Sequence, residues 1–234
     1  EEVTPVIQPA PSIPAQPPLR VQIPFPRLLD SRSQRLKRVF DVVVALALGI
    51  AALPLAAVIA LAIVIESGRP VFFLHTRVGR GRRRFRVVKF RSMVQNADGV
   101  IEAYLAARPE RAAEWRRQRK LKDDPRVTRV GRLLRRTSLD ELPQIWNILR
   151  GEMSVVGPRP ITDAEISKYG TIYSLYSQIA PGLTGLWQVS GRNDTSYQQR
   201  VDIDSRYIRN WTLRLDLRIL LRTFRAVLAG RGAY

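Results

Sequence analysis

The stretch VVVALALGIAALPLAAVIALAIVI, residues 42–65, decides the fold of this 234-residue chain. It contains 24 consecutive residues without a charged side chain. As an α-helix such a run is roughly 36 Å long, which is enough to cross the ~30 Å apolar layer of a bilayer. The sequence therefore predicts a membrane-associated protein with a long apolar element near its N-terminus.

Pro54 lies near the middle of this run, and both flanks are basic, with Arg35, Lys37 and Arg38 before it and Arg77 after it. A spanning helix usually has its basic flank on the cytoplasmic side only. Proline removes an internal hydrogen bond, so two half-helices of ~18 Å could enter one leaflet and return. We predict a re-entrant helical hairpin broken at Pro54. A kinked spanning helix is the alternative, since membrane helices tolerate proline.

The remaining pattern predicts a mainly α fold with a small β element, of the α+β class. Residues 71–73 and 85–90 flank a glycine turn and are typical of a short hairpin, while residues 100–120 are typical of a helix interrupted by Pro109. We divide the chain into a proline-rich leader (1–34), the re-entrant hairpin (35–70) and a catalytic domain (71–234).

Charge indicates the kind of partner. The chain has 39 Lys and Arg against 20 Asp and Glu, a net charge of +19, which favours an anionic partner such as nucleic acid, lipid headgroups or a phosphorylated substrate. Residues 213–228 combine an apolar stripe with a row of arginines and predict an amphipathic helix on an anionic lipid bilayer. Nucleic acid is disfavoured, because it explains neither the apolar run nor the carboxylates described next, and no nucleic-acid-binding motif is present.

Composition narrows the chemistry. The sequence has no cysteine and a single histidine, His75, which excludes thiolate nucleophiles and metal sites built from several histidines or from cysteine. A Walker-type phosphate loop is also missing, since no Gly-Lys-Ser/Thr follows the Gly79–Gly81 glycines. Carboxylates remain as the candidate nucleophile or base.

The stretch RRTSLDELPQIWN, residues 135–147, places Asp140 and Glu141 between segments that carry arginine. Adjacent acids among arginines suit the handling of a phosphate ester with a metal ion. Ser138 to Glu141 also fits a capping box, which would make the acids part of a helix N-terminus. A helix that begins at Pro143 instead leaves both acids in the preceding turn. The local pattern leaves these readings open.

Several motifs around the acids occur in a fixed order. They are Lys37-Arg38-Val39-Phe40-Asp41, the apolar run with its proline, Thr76-Arg77-Val78-Gly79, Lys89-Phe90-Arg91-Ser92-Met93, Leu139-Asp140-Glu141-Leu142, Val156-Gly157-Pro158-Arg159-Pro160 and Pro181-Gly182-Leu183-Thr184-Gly185-Leu186-Trp187-Gln188-Val189-Ser190-Gly191-Arg192. From about Arg35 to Tyr234 the chain resembles the bacterial sugar transferases, the monotopic polyprenyl-phosphate phosphoglycosyl transferases that initiate polysaccharide assembly. It departs from many members at Leu53, where they place a serine before the proline.

This resemblance implies an enzyme that transfers a sugar 1-phosphate from a UDP-sugar to undecaprenyl phosphate and releases UMP. It implies that Asp140 is the nucleophile and that Glu141 helps to bind Mg²⁺. Arg135, Arg159 and Arg192, with Lys89, are then the candidates for phosphate contacts, since guanidinium forks bind phosphate oxygens in pairs.

The resemblance also implies a place in the bacterial inner membrane, with the catalytic domain on its cytoplasmic face. Asp204 and Asp216 match family positions, but structural ion pairing is the better expectation for them. The alternative function is a basic membrane-bound scaffold or regulator without catalysis. The particular UDP-sugar stays open, and so does the oligomeric state.

Overall fold

A computed structural model describes residues 27–118, 121, 123–190 and 195–228 of the chain. Residues 1–26 of the predicted leader and the candidate Arg192 lie outside the described residues. Within them the fold is mainly helical, with two small two-stranded sheets, so the predicted fold class is confirmed at this level.

Helix α1, Ser31–Ser67, contains the whole apolar run. Asp30 caps it by accepting hydrogen bonds from the amides of Arg32 and Ser33, and it begins four residues before the predicted domain boundary. Sequence analysis predicts two half-helices, whereas the structure has one helix with Pro54 inside it. The helix is long and apolar enough to cross a membrane by length and composition.

Both halves of α1 pack on the same folded body. Ala45 in the first half is buried in one hydrophobic cluster with Ile148 and Val155. Ile59 and Ile63 in the second half are buried in another cluster, with Phe90 and Leu134 among its members. Apolar side chains between and beside these contacts are largely exposed, namely Val43, Leu46, Leu48, Ile50, Leu53, Leu55, Val58, Leu61 and Ile65.

The β-hairpin follows α1 as predicted. Strands β1, Phe72–Val78, and β2, Arg84–Phe90, pair antiparallel around a turn at Arg80–Arg82. Helices α2, Ala97–Ala107, and α3, Pro109–Gln118, then form with Pro109 as the first residue of the second helix, where proline is tolerated.

The rest of the domain is built from short elements. They are α4 (Arg129–Thr137), α5 (Gln144–Leu149), β3 (Ser154–Val156), α6 (Ile166–Tyr169), α7 (Tyr173–Tyr176), β4 (Gly182–Thr184), α8 (Leu186–Val189), α9 (Tyr197–Arg209) and α10 (Leu213–Leu228). Strands β3 and β4 pair in parallel, a pairing that sequence analysis does not predict. Gly157, just after β3, lies so close to Gly182 that an added Cβ would be 2.7 Å from the Gly182 amide nitrogen.

A buried ionic cluster joins the first and last helices. The Lys37 ammonium group lies 2.7 Å from Asp41 Oδ1 and 3.1 Å from Asp216 Oδ2, and it also donates to the Ser154 hydroxyl. Tyr207 donates a further hydrogen bond to Asp216. The expectation that Asp216 is a structural ion-pair residue therefore agrees with this geometry.

Helix α10 has three different faces. Asp216 and Ile219 are buried, while Leu217, Leu221 and Phe224 are exposed. Arginines at 214, 218, 222 and 225 lie beside this exposed apolar stripe on the helical wheel. The predicted amphipathic pattern is present, and its contact with lipid stays a prediction.

Candidate active site

The two acids lie in a turn between two helices. Helix α4 ends at Ser138, which adopts a left-handed conformation with φ of +58°, and Leu139–Glu141 then form one 3-10 turn before α5. Ser138 makes no capping hydrogen bond through its side chain, so the capping-box reading is wrong. The reading that leaves both acids in the turn before the Pro143 helix is confirmed.

Lys89 on β2 faces both acids. Its ammonium group donates to Glu141 Oε1 at 2.7 Å and lies 3.5 Å from Asp140 Oδ2. The predicted phosphate ligand Lys89 is therefore beside the predicted nucleophile, although 51 residues separate them in sequence.

Asn147 holds α5 against this strand. The side-chain oxygen Oδ1 of Asn147 accepts a hydrogen bond from the Val88 amide at 3.0 Å. Its side-chain nitrogen Nδ2 donates to the Arg86 carbonyl at 2.8 Å and to the Glu152 carboxylate. These bonds satisfy backbone groups of β2 that would otherwise pair with a further strand. They also fix the distance between Lys89 and the turn that carries the two acids. The sequence analysis assigns no role to Asn147; the available signal is a polar residue between Trp146 and Ile148 in a short helix.

Asp140 is in an unusual electrostatic environment. It is 9% exposed, and burial raises the pKa of its carboxyl group above the ordinary value. The adjacent Glu141 raises this pKa too, while Lys89 and Arg135 oppose the rise. Partial desolvation strengthens a carboxylate as a nucleophile, and the two cations keep the ionised form accessible.

Arg135 on α4 completes this group. Its guanidinium Nε donates to Ser92 Oγ at 2.8 Å, and its charge lowers the pKa of Asp140. Helix α4 approaches Ser92 closely at Gly131, where an added Cβ would lie 2.7 Å from Ser92 Cα. The structure thus brings together four of the predicted site residues: Asp140, Glu141, Lys89 and Arg135.

Arg159 belongs to a neighbouring basic group. Its guanidinium carbon lies 5.9 Å from the Trp187 ring centre, and its charge lowers the pKa of Arg77 on β1, after the larger effect of burial. His75 lies two residues before Arg77 on β1, and burial, Arg77, Lys89 and Arg159 all lower the pKa of its imidazole. Sequence analysis assigns no role to Arg77 or to Arg200, which also contacts Trp187.

The glycine-bearing loops at 157–160 and 181–185 bind each other through their backbones. The Gly157 amide donates to the Thr184 carbonyl and the Gly182 amide donates to the Pro158 carbonyl, both at 2.8 Å. The glycines allow two backbones to meet. Arginine side chains, rather than these amides, are left to contact a phosphate group.

Two carboxylates are available for a magnesium ion. Mg²⁺ is usually bound by one or two carboxylates together with substrate phosphates and water, and Asp140 and Glu141 supply oxygen ligands of that type. Within the described residues no group of three or more His, Cys, Asp or Glu side chains could hold a metal. The donor set therefore fits an ion that also needs phosphate oxygens from the substrate.

Comparison with known proteins gives consistent results. The profile of a family described as "Bacterial sugar transferase" matches residues 32–230. A UDP-galactose-lipid carrier transferase of Erwinia amylovora is 50% identical over 207 residues, which cover 88% of this chain and 43% of that protein. The exopolysaccharide production protein ExoY of Sinorhizobium fredii is 47% identical over 198 residues, 85% of this chain and 88% of that protein.

A third relative bears the name of a different sugar. The UDP-glucose:undecaprenyl-phosphate glucose-1-phosphate transferase of Caulobacter vibrioides is 43% identical over 225 residues, 92% of this chain and 77% of that protein. The chain thus spans less than half of the Erwinia relative and most of the other two.

Proposed function

The chain belongs to the bacterial sugar transferase family, and we propose that it transfers a sugar 1-phosphate from a UDP-sugar to undecaprenyl phosphate, giving a polyprenyl-diphosphate-linked sugar and UMP. The observation that carries the proposal is the position of Asp140, which is nearly buried beside Glu141, Lys89 and Arg135.

The proposed reaction has two displacements at one phosphorus atom. The Asp140 carboxylate attacks the sugar-bearing phosphate of the donor, the bond to the UMP oxygen breaks, and UMP leaves with the electron pair. A phosphate oxygen of the lipid acceptor then attacks the aspartyl-phosphosugar and releases the Asp140 carboxylate. Such covalent catalysis divides one difficult step into two easier ones.

The surrounding charges have separate tasks in this scheme. Lys89 and Arg135 reduce the repulsion between the Asp140 carboxylate and an anionic diphosphate, and they are held before substrate arrives by Glu141 and Ser92 respectively. A magnesium ion held by Glu141 would neutralise further negative charge on the phosphate oxygens. Substrate binding would then draw Lys89 away from Glu141 toward phosphate.

We also propose that α1 enters one leaflet of the inner membrane and returns to the cytoplasmic face. A straight spanning helix would place its two ends on opposite sides of the bilayer, whereas Lys37 and Ile63 contact one folded body. The exposed apolar side chains between them favour contact with lipid chains. The exposed apolar and arginine stripes of α10 suit an anionic lipid surface.

Turnover by Asp140 is tested with purified full-length protein, undecaprenyl phosphate and a panel of UDP-sugars that includes UDP-galactose and UDP-glucose. We expect the wild-type protein to release UMP from at least one donor and Asp140→Asn to release none. Asp163→Asn, which neutralises an exposed acid outside this site, is the matched control and should keep full activity. Retained turnover in Asp140→Asn, at unchanged thermal stability, would refute the nucleophile; a scaffold would show no turnover in any variant.

Topology is tested by labelling introduced cysteines, because these 234 residues contain none. Arg32→Cys and Arg69→Cys lie beyond the two ends of the apolar run. An impermeant thiol reagent applied to inside-out and right-side-out vesicles should reach both positions from the same side. Labelling from opposite sides would show a spanning helix.

A further inference from the structure

Three arginines lie close together at the end of the β-hairpin that is away from Lys89. The four residues described above, Asp140, Glu141, Lys89 and Arg135, lie toward the other end. Arg77 Nη1 lies 3.5 Å from Glu165 Oε2, and Arg200 Nη1 lies 3.6 Å from Glu165 Oε1. Arg159 joins them through Trp187, whose ring also contacts Arg200. We call Arg77, Arg159 and Arg200 the second arginine group.

Arg200 is the most unusual member. It is only 7% exposed, and its guanidinium lies 4.9 Å from the Trp187 ring centre and 5.1 Å from the Tyr197 ring centre. Among the described residues, its Nε and Nη2 atoms have no hydrogen-bond partner. A buried donor without a partner costs free energy, and these two nitrogens are therefore available to an acceptor such as a phosphate oxygen.

The charges of this group do not balance within the described residues. Among the residues that the structure describes, Glu165 is the only carboxylate within ion-pair distance of Arg77 and Arg200, and none lies within that distance of Arg159. Asp204 is close, but burial raises its pKa to about 7, so it is only partly ionised at neutral pH. Like charges at short range repel, and an anion with several oxygen atoms would relieve this repulsion.

The second arginine group lies within reach of the same substrate as Asp140. Strand β1 places Phe73 opposite Lys89, and Arg77 follows four residues later on the same face of the hairpin. Four residues of strand correspond to roughly 13 Å. Arg77 therefore lies about that distance along the strand from the position opposite Lys89, and His75 lies between them on the same face.

We propose that Arg77 and Arg200, together with Arg159, form a second phosphoryl-binding subsite that holds one phosphate group while the reacting phosphate lies at Asp140. The proposal rests on the proposed function, since two substrates with phosphate groups must meet there. The ligand chemistry is a phosphate ester, which either the nucleotide donor or the lipid acceptor supplies. Stacked guanidinium groups suit this ligand because they keep their forks oriented before it binds.

The test uses the full-length protein in detergent and compares Arg77→Gln and Arg200→Gln with Arg84→Gln. Arg84 is the matched control, because it is a largely exposed arginine of the same hairpin. Binding of UMP is measured by calorimetry, and KM is measured for the UDP-sugar and for undecaprenyl phosphate. Arg200→Lys is included as the conservative variant, since it keeps the charge and loses the fork.

We expect at least a tenfold weaker interaction with one phosphate source in both Gln variants, and no change in Arg84→Gln. If the nucleotide occupies the subsite, UMP binding and the KM for UDP-sugar change. If the lipid phosphate occupies it, only the KM for undecaprenyl phosphate changes. Partial rescue by Arg200→Lys would support a charge contact. Should Arg200→Gln fail to fold, Arg77→Gln alone decides between these outcomes.

Unchanged UMP binding and unchanged KM values for both substrates in Arg77→Gln would overturn the subsite, whatever the thermal stability of the variant. The proposed function fails separately. A wild-type protein that binds UMP through these arginines but releases none from any UDP-sugar would overturn the reaction and leave the subsite standing.

Discussion

Replacing Lys37 by Met tests how strongly the first helix depends on the last one. Methionine preserves most of the length and apolar part of the side chain but removes the ammonium group that lies between Asp41 and Asp216. Asp216 is fully buried, so it cannot gain a compensating contact with water. Among the described residues no other cation forms an ion pair with either acid.

The magnitude follows from this burial. Removing one partner of a buried pair costs about 3–5 kcal/mol, because the other charge is left uncompensated. For a chain of this size 1 kcal/mol corresponds to roughly 2–4 °C in Tm, so the expected loss is about 6–20 °C. Arg84→Met, which breaks an exposed pair with Asp163, is the control and should change stability by less than about 1 kcal/mol.

The pH dependence gives a second, independent measurement. Burial raises the pKa of Asp216, and Lys37 opposes this rise, so its removal raises the pKa further. An acid with a higher pKa in the folded than in the unfolded state binds more protons when folded, so its contribution to stability falls as pH rises. The loss of stability caused by Lys37→Met should therefore become smaller as the pH is lowered from neutral toward about 3.9, the pKa of an aspartate in the unfolded chain.

Thermal unfolding of the detergent-solubilised protein, followed by tryptophan fluorescence across this pH range, measures both effects. Adding Asp216→Asn to Lys37→Met should recover part of the lost Tm, because it removes one of the unpaired charges. A loss no larger than that of Arg84→Met, or a deficit that grows at acid pH, would refute the assignment of a buried ionic cluster.

Three further predictions concern the catalytic group. Gly131→Ala should lower the free energy of unfolding by about 1–3 kcal/mol and reduce kcat, because the new methyl group collides with the Ser92 backbone and displaces α4; normal activity would contradict this packing. Glu66→Ala removes the carboxylate that accepts from the first two amides of α4, at 2.7 and 2.9 Å, and should cost roughly 1 kcal/mol in thermal unfolding, with Glu66→Gln costing less. Activity should fall as the pH is lowered through the raised pKa of Asp140. Because Lys89 lowers this pKa, Lys89→Met should move the fall in a kcat/KM profile to higher pH. An unshifted profile would show that Lys89 does not act on Asp140.

Patterns within a few residues predict local features of this protein well. The apolar run, the hairpin around Gly79–Gly81 and the helix boundary at Pro109 each follow from side-chain types in one short window. The short sequence around Asp140 and Glu141 also identifies this pair as candidate site residues, but it does not predict which residues surround them. The left-handed Ser138 that aims the pair toward β2 is a non-glycine residue at positive φ, and no propensity rule predicts it.

The contacts that make a site are long-range, and sequence spacing does not contain them. Lys89 reaches Glu141 because Asn147 holds α5 against β2, and each of these pairs is more than 50 residues apart. The second arginine group was missed for the same reason. Arg77 and Arg200 are two of 39 basic residues. What distinguishes them from solvated charges is their shared contact with Glu165 and, for Arg200, its burial and two side-chain nitrogens without a hydrogen-bond partner among the described residues.

Helix α1 and the turn that carries Asp140 are connected through α4. At its C-terminal end α1 supplies the Glu66 carboxylate that caps α4, and Arg91 donates from Nη2 to the Ser67 and Gly68 carbonyls. The opposite end of α4 carries Arg135 and leads directly into the turn with Asp140. In the proposed arrangement, a change in the position of α1 in the bilayer would reach Asp140, the proposed nucleophile, through the nine residues of α4. The proposed reaction requires Asp140 to meet a lipid-bound acceptor, and these contacts would connect that carboxylate directly to the proposed membrane element.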